Sequence, residues 1–192
     1  MIQEPAVRAQ TLLKLNIGSG CRWLPGFLSV DNNDNAGSVD VVHDLDTFPW
    51  PFEESSVSEV VMDHALEHLE DTIGVVQELY RICADQATLH IKTPHFSCNW
   101  THPGHKRAIG LGLFDHFDPR QEEHYGQCVF QVEWVRLHWM RPRYQTSLVR
   151  RVVCGVIDGV ANFHPRLCER LWCYWVGGFE EVEFFVRVIK PS

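Results

Sequence analysis

The sequence has no Cys-x-x-Cys pair, although it contains seven cysteines. An odd count without paired spacing excludes a zinc-finger or disulfide framework and leads us to expect reduced thiols and a cytoplasmic protein. No apolar run reaches bilayer-spanning length. The opening MIQEPAVRAQ lacks the apolar core of a signal peptide. Net positive charge is also missing. With 17 Lys+Arg against 25 Asp+Glu the formal net charge is -8. That argues against general nucleic-acid binding, which rests on neutralising phosphates. Neither an internal repeat nor a low-complexity tract interrupts the chain. Its 192 residues are 45% hydrophobic, enough for one globular domain, 1–192, with a real core.

The charge that is present is uneven. Residues 1–100 carry 15 Asp+Glu against 5 Lys+Arg, and residues 101–192 carry 10 against 12. An acidic half suits a cationic ligand and a mildly basic half an anionic one. Ordinary scatter of surface charge accounts for the same counts without any ligand.

Short apolar runs alternate with helical patterns in the first half. LLKLNI, GFLSVD, VSEVVM and ATLHIKT read as buried strands. In DTIGVVQELYRICA the residues Val75, Val76, Leu79, Ile82 and Cys83 recur at helical spacing, with Asp71 as N-cap. Strands separated by helices imply a parallel α/β sheet. LDTFPWPFEE interleaves prolines with aromatics and reads as a rigid loop. QCVFQVEWVRLHW and FEEVEFFVRVIK form a late strand pair. Between them Leu148, Val152, Val153, Val156, Ile157, Val160 and Phe163 share one helical face, and a second helix is expected from Pro165 to Trp175.

The first run, LNIGSG, ends in Gly18–Ser19–Gly20. A strand that ends in Gly-x-Gly lets the backbone approach a ligand beyond the strand's carboxyl end. Asp31, with Asn32 after it, closes the second strand, where an acid can take the two hydroxyls of a ribose. The dinucleotide pattern is not met. A third glycine is missing, and Asp31 follows Gly18 by 13 residues rather than the ~20 of that fingerprint. A third strand carrying Val39, Val41 and Val42 is followed by Asp44 and Leu45, where an adenine amine could be bound.

Taken together, LNIGSGCRWLPGFLSVDNN, VDVVHDLD, DHALEHLED and ELYRICADQATLHIKTPH resemble the class I S-adenosylmethionine-dependent methyltransferases, in their small single-domain branch. The match runs from Leu15 to about Phe117. It implies a Rossmann-like seven-stranded sheet, order 3-2-1-4-5-7-6 with strand 7 antiparallel, flanked by helices. It implies a cofactor-binding half at about 11–95 and acceptor or lid elements at about 95–175. S-adenosylmethionine is the implied cofactor and S-adenosylhomocysteine its product. The implied contacts are Asn16, Gly18, Ser19 and Gly20 at the methionine moiety, Asp31 and Asn32 at the ribose, and Asp44 and Leu45 at the adenine. Asp63 and His64 mark the edge of the methyl site. Asn16 and Ser58 stand where the family usually carries acids.

The segment PHFSCNWTHPGHKRAIGLGLFDHF continues that resemblance. It clusters His95, His102 and His105 and leaves three readings open. His95 and His105 could hold the loop by bonds to backbone and to Asp115 or Asp118. Either could act as general base, with Lys106 and Arg107 gripping an anionic acceptor. Metal binding is the third reading, and no carboxylate or cysteine spacing completes a site, so none is assigned. Glu67 and His68 read as structural links. The basic run RPRYQTSLVRR reads as a solvated helix start or as part of an acceptor site. LCERLWCYWVGGF, with Leu171, Trp172, Trp175 and Phe179, reads first as packing on the sheet and second as a weak interfacial membrane contact. The expected activity is methyl transfer to a small, anionic or sugar-like acceptor. A catalytically silent module that binds the cofactor or a nucleoside is the alternative.

Overall fold

The computed structural model describes residues 11–34, 37–98, 102–122 and 124–191. Seven strands form one sheet in the order β3-β2-β1-β4-β5-β7-β6. They are β1 (Leu13–Ile17), β2 (Leu28–Asp31), β3 (Val41–Val42), β4 (Val57–Asp63), β5 (Cys83–Pro94), β6 (Val129–His138) and β7 (Glu181–Ile189). β1 to β5 run parallel, and β7 is antiparallel to both β5 and β6. This is the order and direction expected above. The core lies along the central strands, with Leu15, Ile17, Val60, Met62, Leu89 and Ile91 fully buried. Covered on both faces, β1 buries three residues in succession, Leu15, Asn16 and Ile17, rather than alternating.

Helix α1 (Thr72–Ile82) docks by the stripe anticipated from its spacing, with Val75, Val76, Leu79 and Ile82 buried. Asp71 caps it, accepting the Gly74 N–H at 2.9 Å. The helix also anchors the proline-aromatic loop. Glu78 accepts the Trp50 N–H at 2.7 Å, Arg81 pairs with Glu78, and Arg81 donates to the Trp50 and Phe52 carbonyls. The Trp50 indole donates to the Leu45 carbonyl at 3.1 Å. The segment that follows β3 is thereby fixed.

No helix bridges β1 to β2 or β2 to β3 among the described residues; the glycine loop takes the place of a crossover helix. Two features differ from the expectation. The second late helix is short: α3 (Pro165–Cys168) passes into a π turn at Glu169–Cys173. The larger difference is α2 (Leu148–Phe163). Most of its apolar face points outward; of the expected set Ile157 packs against the core, on a docking side that otherwise carries Cys154, Asp158, Ala161 and Asn162. Asn162 accepts the Leu137 N–H at 2.7 Å and donates to the Leu137 carbonyl at 2.8 Å, and Asp158 accepts the Trp139 N–H at 2.8 Å. Leu171, Trp172 and Trp175 are likewise exposed, so their packing on the sheet is not realised; Phe179 alone of that set is buried. These bonds satisfy edge-strand groups that hydrophobic side chains could not, which selects the polar face for contact. No described helix is long and apolar enough to cross a membrane.

Asp71→Ala removes the α1 cap and should cost about 1 kcal/mol in urea-unfolding experiments, with the sheet's circular dichroism unchanged.

Candidate functional site

The glycine loop is built by the ends of β1 and β2. The Gly18 and Ser19 N–H groups both reach the Val30 carbonyl, at 2.8 and 3.2 Å. Gly18 has φ +65°, and a Cβ there would lie 2.2 Å from the Ala65 Cβ. A side chain is therefore excluded by both conformation and contact. Gly20, at φ +53°, donates its N–H to Asp31 Oδ2 at 2.8 Å. Asn16 is buried, and its Nδ2 donates to the Arg22 carbonyl at 2.7 Å. An ionised acid at this position could not donate to a carbonyl, so the amide ties the loop shut from inside. Ser19 Oγ is buried with no hydrogen-bond partner among the described residues.

Beyond the carboxyl ends of these strands lies a cavity of about 250 Å³. It brings together six of the expected contacts: Gly18, Asp31, Asn32, Asp44, Leu45 and His64. Asn16, Ser19 and Gly20 build its wall from behind. Asp63 forms a close ion pair with Arg22 instead of lining the space. Four lining residues went unassigned in the sequence: Asp46, Ala65, His68 and Leu69. The last three belong to the segment after β4, which carried a family signal without any indication of which side chains turn inward. Asp46 also accepts the Glu70 N–H at 2.9 Å, which pins that segment to the pocket. Asp31, Asp44 and Asp46 give the cavity a negative lining that favours a cation.

At the far wall stands His64, at φ +57°, a region that few residues bearing a side chain occupy. Its Nδ1 lies 3.1 Å from Glu67 Oε1 and its Nε2 lies 2.7 Å from Glu181 Oε2. Burial opposes its charge, but the hydrogen bonds to Glu181 and Glu67 prevail and push it up to about 9. His64 is thus an imidazolium near neutral pH, with both nitrogens donating. It is unsuited to be a base. Glu67, buried itself, also accepts from the Thr93 hydroxyl at 3.3 Å. The Arg141 guanidinium lies 3.3 Å from the same His64 nitrogen. Its Nε is buried without a hydrogen-bond partner among the described residues, and the nearest Glu180 oxygen is 3.9 Å away. Arg141 and Glu181 come from the chain's last third; Arg141 opens the basic run RPRYQTSLVRR, for which an acceptor site was one reading, and nothing local in the sequence marks Glu181.

The histidine loop resolves into separate parts. His95 is fully buried and lines none of the cavities described here. Its Nδ1 meets Ser97 Oγ at 2.8 Å and its Nε2 meets Glu169 Oε1 at 3.1 Å. Glu169 also accepts the Leu111 N–H at 2.7 Å. The anchors expected for the histidines are otherwise engaged, Asp115 with Arg166 and Asp118 with Arg120. His68 Nδ1 lies 2.8 Å from the Gly104 carbonyl, so that nitrogen carries a hydrogen and donates it. The His105 ring centroid lies 5.2 Å from that of His68. Lys106 pairs with Glu70 at 2.6 Å, and Arg107 donates to the Glu70 carbonyl at 3.3 Å. Both cations therefore brace the rim.

Two clusters bring potential metal ligands within 4.8 Å of one another: Glu67, His68 and His105, and Asp63, His64 and Glu181. In both, a carboxylate is already hydrogen-bonded to the His64 imidazolium.

No family model matches the sequence, and no curated protein matches it. Solved structures match it in fold. An S-adenosylmethionine-dependent methyltransferase from Mesorhizobium loti aligns at TM-score 0.54 and 14% identity, over 92% of this chain and 91% of that one. A methyltransferase of the same dependence from Archaeoglobus fulgidus aligns at 0.52 and 14%, over 93% and 87%. The cyclase SpnF aligns at 0.56 and 12%, over 94% and 75%. The chain has the fold of the class I S-adenosylmethionine-dependent methyltransferases. The cyclase shows that this fold hosts other chemistry as well.

Gly18→Ala should destabilise the loop by about 1 kcal/mol or more, seen as a lower urea midpoint. A second measurement concerns pH. His64 and His138 both stand near 9 in the folded chain, His138 through bonds to Asp158 and Glu183, against about 6.5 unfolded. Each binds its proton more tightly when folded. Their stabilisation is complete below pH ~6.5 and is lost as pH rises through ~9. Urea midpoints should fall across that window, and His138→Gln should flatten the fall.

Proposed function

We propose that the protein is a cytoplasmic S-adenosylmethionine-dependent methyltransferase of a small acceptor, anionic or sugar-like. The observation that carries this reading is the acidic cavity itself. It joins a φ-positive glycine loop to carboxylates at the ends of β2 and β3, in a sheet of this order. The donor set fits the group: acids for ribose hydroxyls and an exocyclic amine, an apolar Leu45 for a ring, and negative lining for a sulfonium.

When bound, S-adenosylmethionine supplies an electrophilic methyl group on a positively charged sulfur. The chain's own residues do the rest by placement. Gly18 to Gly20 pass close behind the methionine portion, with Asn16 holding their loop. Asp31 and Asn32 orient the ribose, and Asp44 and Leu45 the adenine. His64 shapes the wall toward the methyl site as a fixed cation, and Asp63 braces the glycine loop from behind through Arg22. Arg141, whose buried Nε has no hydrogen-bond partner among the described residues, binds the negative charge of the acceptor. Lys106 and Arg107 brace the rim beside it. For a hydroxyl acceptor, the His68–His105 pair at the cavity is the proton acceptor of this reading, through His68 Nε2. His95 is a strut that ties the end of β5 to Glu169.

Calorimetric titration with S-adenosylmethionine and S-adenosylhomocysteine tests the pocket. Both should bind, and Asp31→Ala should weaken each ~10-fold or more, the loss of a charge-assisted hydrogen bond. No binding by the wild-type protein, or an unaffected variant, rejects the assignment. A methyl-label screen over metabolite extracts tests turnover, and binding without turnover across broad extracts would favour the silent module. Once an acceptor is known, His105→Asn should lower turnover ~100-fold at unchanged cofactor affinity. His95→Asn should lower the unfolding midpoint instead.

A further inference from the structure

Helix α2 is mounted inside out. Its docking face presents Cys154, Asp158, Ala161 and Asn162 to the end of β6. Leu148, Val152, Val156, Val160 and Phe163 fall on the opposite side, within about half a turn of one another at 100° per residue. Val160 is 75% exposed and Phe163 82%. The apolar surface continues onto the next segment through Leu167, Leu171 and Trp175, the last 85% exposed. Between the two runs a groove of about 600 Å³ is floored by Trp139 and Phe179. So large a continuous apolar surface is unusual for a chain facing water on all sides.

The charge around it points to the occupant. The chain as a whole is acidic at -8, yet residues 141–176 hold six arginines against Asp158 and Glu169. Arg143, Arg150, Arg151 and Arg170 have no carboxylate within ion-pair distance among the described residues. Arg150 and Arg151 are exposed on the first turns of α2; they leave the helix on the side away from its apolar face, within a helix width of it, about one Debye length. Trp172, Tyr174 and Trp175 sit at one end, amphipathic rings suited to the boundary between water and hydrocarbon. An anionic lipid surface satisfies both the cations and the apolar side chains.

We propose that the α2–α3 face docks on an anionic membrane surface, lying in its interface and not spanning it. The same sheet edge carries the candidate site. α2 packs on residues 137–139 at the carboxyl end of β6, and Glu169 reaches His95 at the end of β5. The docking does not depend on which reaction the cavity performs.

The test is flotation of the full chain with vesicles of phosphatidylcholine alone and of equal parts phosphatidylcholine and phosphatidylglycerol, followed also by tryptophan emission. The protein should float with the anionic vesicles, with blue-shifted emission, and stay in solution with the neutral ones. Arg150→Gln with Arg151→Gln should weaken partitioning ~30-fold. Val156→Asp with Val160→Asp should abolish it. Both pairs are exposed, so unfolding midpoints should hold, and S-adenosylhomocysteine affinity, measured without lipid, reports the cavity separately. Absence of wild-type binding to anionic vesicles, or aspartate variants that still float, overturns the proposal. So does a wild-type dimer in sedimentation that Val156→Asp splits, since a second copy would then cover the face.

Discussion

A half-buried imidazolium between two buried carboxylates holds the working edge of this sheet together. His64 leaves the end of β4 in a left-handed conformation, meets Glu67 one turn later and reaches Glu181 at the start of β7. Through Glu67 the contact extends to Thr93 on β5. Three strands that are distant in sequence thus end in one charge cluster, and the chain after β4 is steered across the mouth of the cavity. Ala65 comes under Gly18 because His64 turns the chain there, and the tight fit of those two residues follows. A neutral cluster of the same shape would leave two carboxylates facing each other in a dry site, which is costly.

A second charge cluster repeats the arrangement two residues along β7. Glu183 takes His90, His138 and Lys92, and despite burial these hold its carboxyl well below the usual range. Buried acids on a central antiparallel strand are expensive unless paired, and here the partners come from both neighbouring strands. The same edge then passes to α2, whose Asp158 shares His138. The polar ties that fix the sheet's carboxyl edge thereby claim the polar side of α2. Its valines are left on the outside. The exposed apolar face is a consequence of how the edge is held, not a separate decoration of the surface.

The glycine loop shows how a departure from a family pattern acquires a structural sense. Asn16 occupies a position where an acid is usual, and in isolation it reads as a lost charge. In the fold its amide donates to the Arg22 carbonyl. Arg22 in turn pairs with Asp63, so the loop that lacks a crossover helix is closed by side chains. Negative charge at the cavity comes from Asp31, Asp44 and Asp46.

Hydrophobic period, caps and strand-end residues are local quantities, and the sequence by itself determined what depends on them. The strand runs, the α1 stripe with Asp71 as its cap, and the placing of Gly18, Asp31 and Asp44 at strand ends could all be read along the chain. The sheet order came from the joint resemblance. Tertiary structure decided what depends on partners far apart in sequence. Periodicity shows that Leu148 to Phe163 has an apolar face but not which way the face points, because that is settled by edge-strand N–H and C=O groups seeking Asp158 and Asn162. A cluster of histidines does not show that His95 is sealed against Glu169 while His68 opens on the cavity. The charge on His64 is set by Glu181, 117 residues away, and electrostatic energy in a dry site depends on distance in space, to which sequence separation is blind.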